Sequence, residues 1–391
     1  MNEAHKPCPI CGTATPHAFL RQPNVPVHQN LLFADAAAAR AITRGELDMR
    51  VCADCGFVFN AAFDPALLAY GAGYDNTQEC SPAFEAHLDE RVRHLRGARG
   101  VQGHRIVEVG CGKGTFLRKL VADPSGRNTG YGFDPSYTGP DSDLDGRARF
   151  ERRAYGPECA HILADTVVCR HVIEHVPAPC ALLSAVRAAL PATPKSRVFF
   201  ETPCVEWILR NRVVWDLFYE HCSLFSAASL TNAFNRSGFR VESVSHVFSG
   251  QYLWLEAVPV DGAGAPRADS AGLPALAAGY ATALPGQLDA WRATIHGHAG
   301  QGRIAVWGAG AKGCTFVNLV DPECTAIDCV IDLNPAKQGH FVAGTGHPIV
   351  DYHALPARGV QQIVLMNPNY RGENAALLAA AGIHARFLEP A

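Results

Sequence analysis

Apolar runs of four or five residues recur along most of this chain, each followed by a longer stretch of mixed polarity. Ile106–Val109, Thr129–Phe133 and Asp165–Cys169 form one series, and Arg303–Trp307, Cys329–Asp332 and Gln362–Met366 a second. Short β-branched runs of this kind read as strands buried on both faces of a parallel sheet. The stretches between them are long enough for helices, and strands alternating with helices build a doubly wound sheet. The pattern therefore predicts two α/β units in tandem. Between them, residues 258–272 are small and polar with glycine and proline, as a linker is. From Pro274 to about Ala299 an Ala/Leu-rich stretch reads as a helix, with Pro285 placed to interrupt it. Residues 1–60 lack the alternation and are organised by cysteines instead.

Composition narrows the class. A length of 391 residues suggests two or three domains, and 48% hydrophobic residues supply substantial cores. A net charge of -3 gives no broad basic field for nucleic acid or an anionic membrane. No 18-residue apolar run is present, so no transmembrane helix is indicated. The opening Met1-Asn2-Glu3-Ala4-His5-Lys6 has no apolar signal core. A cytoplasmic protein is expected, with a small-molecule substrate and neither nucleic acid nor membrane as partner; the sequence is silent on oligomeric state. In that compartment the 14 cysteines are not expected to form disulfides. Most of those outside the N-terminal pairs read as small buried hydrophobes.

The first series carries the chemistry. Glu108-Val109-Gly110-Cys111-Gly112-Lys113-Gly114 follows its opening strand and leads into a helix. Gly110, Gly112 and Gly114 let the backbone turn sharply and lie close to a ligand. Their spacing is G-x-G-x-G, whereas the dinucleotide fingerprint G-x-G-x-x-G seats a pyrophosphate on the helix N-terminus. S-adenosylmethionine has no pyrophosphate, and its sulfonium and amino-acid tail suit this loop. Glu108 then faces the cationic end, Cys111 lies in the loop, and Asp134, about 20 positions further on, is placed to accept from both ribose hydroxyls. Arg170 and His171, after the third strand, are placed near the cofactor. These features resemble class I S-adenosylmethionine-dependent methyltransferases.

Cys8-Pro9-Ile10-Cys11-Gly12 and Cys52-Ala53-Asp54-Cys55-Gly56 are two C-x-x-C-G knuckles. Each two-residue spacer lets both sulfurs reach one ion, and Cys8, Cys11, Cys52 and Cys55 together offer the closed tetrahedral set of a structural zinc site. The two arms are unusually far apart, so an insertion lies between them. Two reduced redox motifs are the alternative, but a thioredoxin-like motif belongs in a βαβ context these lack.

Two further stretches are candidates for the reaction itself. Arg170-His171-Val172-Ile173-Glu174-His175-Val176-Pro177 follows the third strand, where the donor methyl should project; its H-x-x-E-H order is a weak match to zinc helices. Trp215-Asp216-Leu217-Phe218-Tyr219-Glu220-His221 sets a carboxylate beside a histidine in aromatic surroundings, a plausible general base near neutral pH. Taken with the cysteine knuckles and the second α/β unit, the chain is similar over nearly its whole length to the nucleotide-sugar C-methyltransferases, those acting at C3 of a TDP-4-keto-deoxysugar. The resemblance implies an α/β fold in four parts: a small zinc-binding domain over 1–70, a class I methyltransferase Rossmann-like core over 71–257, a linker and helix over 258–300, and a Rossmann-like domain over 301–391. It implies S-adenosylmethionine and structural Zn2+ as cofactors and a nucleotide sugar as substrate. Glu220 and His221 match the last two positions of the family's Y-H-E-H element. Phe218 stands where its tyrosine belongs and Tyr219 where its first histidine belongs. His175 matches the family's pocket histidine, and Tyr74 another pocket tyrosine. The implied roles are His221, supported by Glu220, as base, with Tyr219, Tyr74 or His175 stabilising an enolate.

Trp307-Gly308-Ala309-Gly310-Ala311-Lys312-Gly313, with Asp332 about 20 residues on, is a complete dinucleotide fingerprint. Lys312 inside the loop and the family resemblance point instead to a wall of the substrate cleft. Three alternatives stay open: methylation of oxygen or nitrogen on another substrate, an NAD-dependent oxidoreductase using this loop, and a zinc-ribbon nucleic-acid binder. The acidic balance and the lack of a Lys/Arg stripe weigh against the last.

Overall fold

The structure is a computed structural model, and it describes residues 6–68, 74, 80–261, 268–270, 272–298 and 302–388. The domain boundary expected at 70/71 and residues 262–267 of the expected linker lie outside the described residues. The fold is α/β and built around three sheets.

The largest sheet has eight strands. In spatial order they are Phe239–Val247, Tyr252–Pro259, Arg197–Pro203, Thr166–Arg170, Arg105–Val109, Thr129–Phe133, Ala148–Glu151 and Ser142–Asp143. The central five are parallel, and the two edges are closed by antiparallel partners. Ile106, Val107, Val167, Val168, Val198 and Phe199 are buried, as strands covered by helices on both faces must be. From Arg105–Val109 the chain moves outward to one side for three strands, then returns to start the other side at Thr166–Arg170. Ligands bind at such a reversal, beyond the carboxyl ends of the strands.

The second series forms a five-stranded parallel sheet in the order Ile349–Val350, Cys329–Ile331, Arg303–Trp307, Val360–Leu365 and Arg386–Leu388. The N-terminal sheet is antiparallel: His17–Pro26, Arg44–Val51 and Val58–Asn60 are completed by Ser223–Leu224, a strand donated by the segment just after His221. This exchange fixes the N-terminal module against the methyl-transfer region.

The helix after the linker runs unbroken from Leu273 to Gly297, through Pro285. The proline sacrifices one backbone hydrogen bond, at a cost of about 3 kcal/mol in a helix interior. Burial at both ends offsets this: Ala277 and Tyr280 pack in the core shared with the N-terminal module, Trp291 and Ile295 in the core of the C-terminal sheet. None of the 14 cysteines is in a disulfide, and Cys111, Cys159, Cys169, Cys204, Cys222, Cys314 and Cys329 are buried. Among the described residues no helix is long and apolar enough to cross a membrane.

Candidate active site

Two cavities meet at the reversal point of the large sheet. The first follows the glycine loop. Gly110 takes φ +70°, and a Cβ there would stand 2.0 Å from the Val172 side chain, so the loop passes too close to the next strand's exit for any other residue. Glu108, Gly110, Cys111, Gly112, Asp134, Arg170 and His171 all line this cavity, as do Phe133 and Tyr155, which the sequence did not single out. Gly114 does not. It begins the helix Thr115–Val121 at φ +82°, and a Cβ there would meet Phe150 at 2.6 Å. Both acids are oriented in advance. Glu108 accepts the Leu117 N–H at 3.1 Å, and Asp134 accepts the Gly112 N–H at 2.9 Å and the Ser136 N–H at 2.8 Å.

The second cavity is the cleft between the large sheet and the C-terminal one. His175, His221, Phe218, Asp216 and Tyr252 form one wall; Gly308, Gly310, Lys312, Asp332 and Lys337 form the other, with Asn367 and Tyr370 at its edge. The second glycine loop therefore faces the cleft. Its lysine is already paired: Lys312 donates to Asp216 at 2.7 Å across the two sheets. Tyr74, His171 and His175 line both cavities and mark where they join. The His175 and His221 rings lie 4.8 Å apart, near perpendicular, and Phe218 packs on His221 at 4.0 Å.

The structure does not bring two of the expected residues to this cleft. Tyr219 is fully buried on the opposite side, its ring 5.3 Å from Phe63 and its hydroxyl accepting the Asp64 N–H at 2.9 Å. Glu220 is likewise buried and turned from His221. It accepts the Gln29 N–H at 2.7 Å and bonds His28 Nδ1 at 3.2 Å, both in the N-terminal module. Residues 218–221 form a turn closed by the His221 N–H donating to the Phe218 carbonyl at 3.2 Å, so the two ends, Phe218 and His221, face the cleft while the corner residues Tyr219 and Glu220 face the module. Asn30, Asp216 and Tyr252 line the cleft without any sequence signal; they come from separate elements that only the fold assembles.

The histidines differ in charge. Burial works against the protonated form of His171, but the carboxylates of Glu174 (3.5 Å) and Glu201 (3.0 Å) outweigh it and raise its pKa above 6.5. His171 also takes φ +54°, a conformation uncommon outside glycine and one that clusters at functional sites. Burial, reinforced by His175, holds His221 well below 6.5, so it is a neutral imidazole at pH 7.

At the far end of the N-terminal module the four knuckle sulfurs converge within 4.8 Å of one another. Cys8 and Cys55 Sγ are 3.5 Å apart, Cys11 and Cys52 Sγ 3.4 Å. Tetrahedral coordination with Zn–S bonds of about 2.3 Å requires sulfurs at about 3.8 Å, so the set fits the ion closely. The knuckle turns are formed too: Gly12 donates to Cys8 O and Gly56 to Cys52 O, each at 2.9 Å. The neighbouring Cys52 sulfur pushes the Cys8 thiol up to about 12, so four thiolates at this spacing need a cation.

Comparison with known proteins agrees with this geometry. Residues 81–244 match a family model described as a methyltransferase domain, and residues 282–385 one described as a C-methyltransferase C-terminal domain. No curated protein matches the chain. Among solved structures the chain is similar to CalO1, a methyltransferase in calicheamicin biosynthesis, in its S-adenosylhomocysteine-bound form, at 18% identity over 45% of this chain and 54% of that one (TM-score 0.36). It is also similar to the Burkholderia thailandensis 1,6-didemethyltoxoflavin-N1-methyltransferase, at 14% identity over 45% of this chain and 80% of that one (TM-score 0.35). The match spans about half the length of CalO1. The two sides of the cleft, with the glycine loop at its junction, are thus a methyltransferase domain over residues 81–244 and a C-methyltransferase C-terminal domain over residues 282–385.

Proposed function

We propose that the protein transfers a methyl group from S-adenosylmethionine to the carbon beside the carbonyl of a nucleotide-linked keto-deoxysugar. The observation that carries this is the junction: His175 lines both cavities and stands against His221, so a donor over Gly110–Gly112 and an acceptor in the cleft meet at two imidazoles. A carbon acceptor is favoured over oxygen or nitrogen by the C-methyltransferase C-terminal match.

Carbon is a poor nucleophile until a proton is removed beside a carbonyl. The keto group acidifies that C–H, and neutral His221 takes the proton. The electron pair left on carbon, delocalised onto oxygen as an enolate, attacks the sulfonium methyl in line; the C–S bond breaks toward sulfur and S-adenosylhomocysteine leaves. Holding both reactants in near-attack geometry supplies up to ~7–11 kcal/mol. Tyr74 and His175 are the groups at the junction that can donate to the enolate oxygen. His171, whose protonated form Glu174 and Glu201 favour, stands nearby. On the donor side, Glu108 faces the amino group of the methionine tail and Asp134 the ribose hydroxyls. The four cysteines would hold a structural Zn2+, and the zinc's contribution is to the fold of the module rather than to the methyl transfer.

Two results are expected in solution. Because His221 keeps its lone pair down to a pH well under 6.5, the acid limb of kcat/KM should lie below pH 6.5, with a plateau across neutrality; a limb above 6.5 rules out this base. Asp134→Ala should weaken S-adenosylhomocysteine binding about 10–100-fold by calorimetry, since hydrogen bonds to a charged acceptor contribute about 1.5–3 kcal/mol each. The overall reading is tested with labelled S-adenosylmethionine and a panel of TDP- and CDP-linked keto-sugars. A product carrying the labelled methyl on carbon is expected; methylation of oxygen or nitrogen, or of none of the panel, counts against it.

A further inference from the structure

Among the described residues, the N-terminal module reaches the cleft through Asn30. Asn30 is 3% exposed and lines the acceptor cavity, yet its Oδ1 has no hydrogen-bond partner among the described residues. Its Nδ2 stands 3.4 Å from the Tyr74 hydroxyl, at the long limit for a bond. A Cβ built on Gly310 of the second glycine loop would lie 3.8 Å from the orphaned oxygen. The carboxamide therefore sits where all three parts of the protein converge.

A buried acceptor without a donor is costly, and such groups persist in native proteins where something else satisfies them. The backbone holds Asn30 in place. Its neighbours His28 and Gln29 are both bound by the fully buried Glu220, which follows Tyr219 in the segment that also carries His221. One carboxylate thus ties the Asn30 segment to the element bearing the proposed base.

We propose that Asn30 is a specificity-determining residue for the methyl acceptor, accepting a hydrogen bond from a hydroxyl of the substrate, and that Glu220 is the positioning residue that presents it. The inference rests on the acceptor occupying the cleft, as in the reading above. It names a contact from the zinc-bearing module to the substrate, which gives that module a part in substrate choice.

Asn30→Leu keeps the volume and removes the orphaned acceptor. With TDP-4-keto-6-deoxyglucose as acceptor, KM should rise about tenfold or more, with kcat changed by less than about threefold and S-adenosylhomocysteine affinity unchanged. The melting temperature of the ligand-free protein should stay the same or rise by a few degrees, because an unpaired buried polar atom has been removed. Glu220→Gln should raise KM in the same direction and leave the acid limb of the pH profile where it is. An unchanged KM in Asn30→Leu, or a fall in melting temperature of more than about 2 °C, overturns the proposal, the latter by making Asn30 a structural residue. If the wild-type protein methylates no nucleotide sugar, that substrate reading fails by itself. The melting temperature then decides the Asn30 assignment: an unchanged or raised value retains it, and a fall removes it.

Discussion

Replacing His221 with alanine is expected to lower methyl transfer by about 10²–10⁴-fold, the usual contribution of a positioned general base. His221 lines the acceptor cavity, its ring is fixed between Phe218 and His175, and its Nδ1 is buried with no partner among the described residues. A base that makes the nucleophile acts before the donor is consumed, so its loss should show without turnover. Wild-type protein with acceptor and S-adenosylhomocysteine in D2O should exchange the proton at the carbon to be methylated. His221→Ala should not, while still binding S-adenosylhomocysteine with wild-type affinity, because His221 is absent from the donor cavity. Exchange at the wild-type rate in the variant disproves the assignment. Loss of cofactor binding together with exchange would show only a damaged fold.

The second large effect concerns the cysteine site. Cys52→Ser, or stripping metal with a strong chelator, is expected to remove about one zinc per chain by elemental analysis and to destabilise the protein by more than about 4 kcal/mol, since structural zinc supplies about 10–16 kcal/mol of apparent binding free energy to the folds that hold it. The location explains why the damage should spread. Cys52 and Cys55 sit in the turn between the strands Arg44–Val51 and Val58–Asn60, and the second of these strands pairs with Ser223–Leu224 just beyond His221. The Cys55 carbonyl also accepts from Asn232 on the helix Ala227–Arg236 of the large domain. Opening the knuckles should loosen both contacts, so activity should fall with the metal and return when zinc is restored. Full activity and an unchanged melting curve in a metal-free sample would show that the four sulfurs hold nothing.

The two predictions draw on different layers of information. The glycine loop, the strands around it and the cysteine knuckles were legible because each depends on local rules: a turn where a Cβ would stand 2.0 Å from Val172 admits only glycine, strands covered on both faces must be apolar, and paired cysteines reach one ion only at short spacing. Pro285 was misleading for the same reason. A local rule predicts a break, but burial at Tyr280 on one side and Trp291 on the other carries the helix through. In the Phe218–His221 segment the sequence placed four residues together without revealing which of them face the cleft. The fold divides them, sending Tyr219 to Asp64 and Glu220 to His28 and Gln29.

The chain on its own determined that there would be two tandem α/β units, a donor loop of the sulfonium type and a four-sulfur site, because periodicity, glycine spacing and ligand spacing act over a few residues. Only the tertiary structure decided what surrounds the reacting carbon. Asn30, His175, His221 and Gly310 are brought together by sheet reversal and strand exchange across nearly 300 positions of chain, and contacts of that range are settled by how whole layers pack against one another.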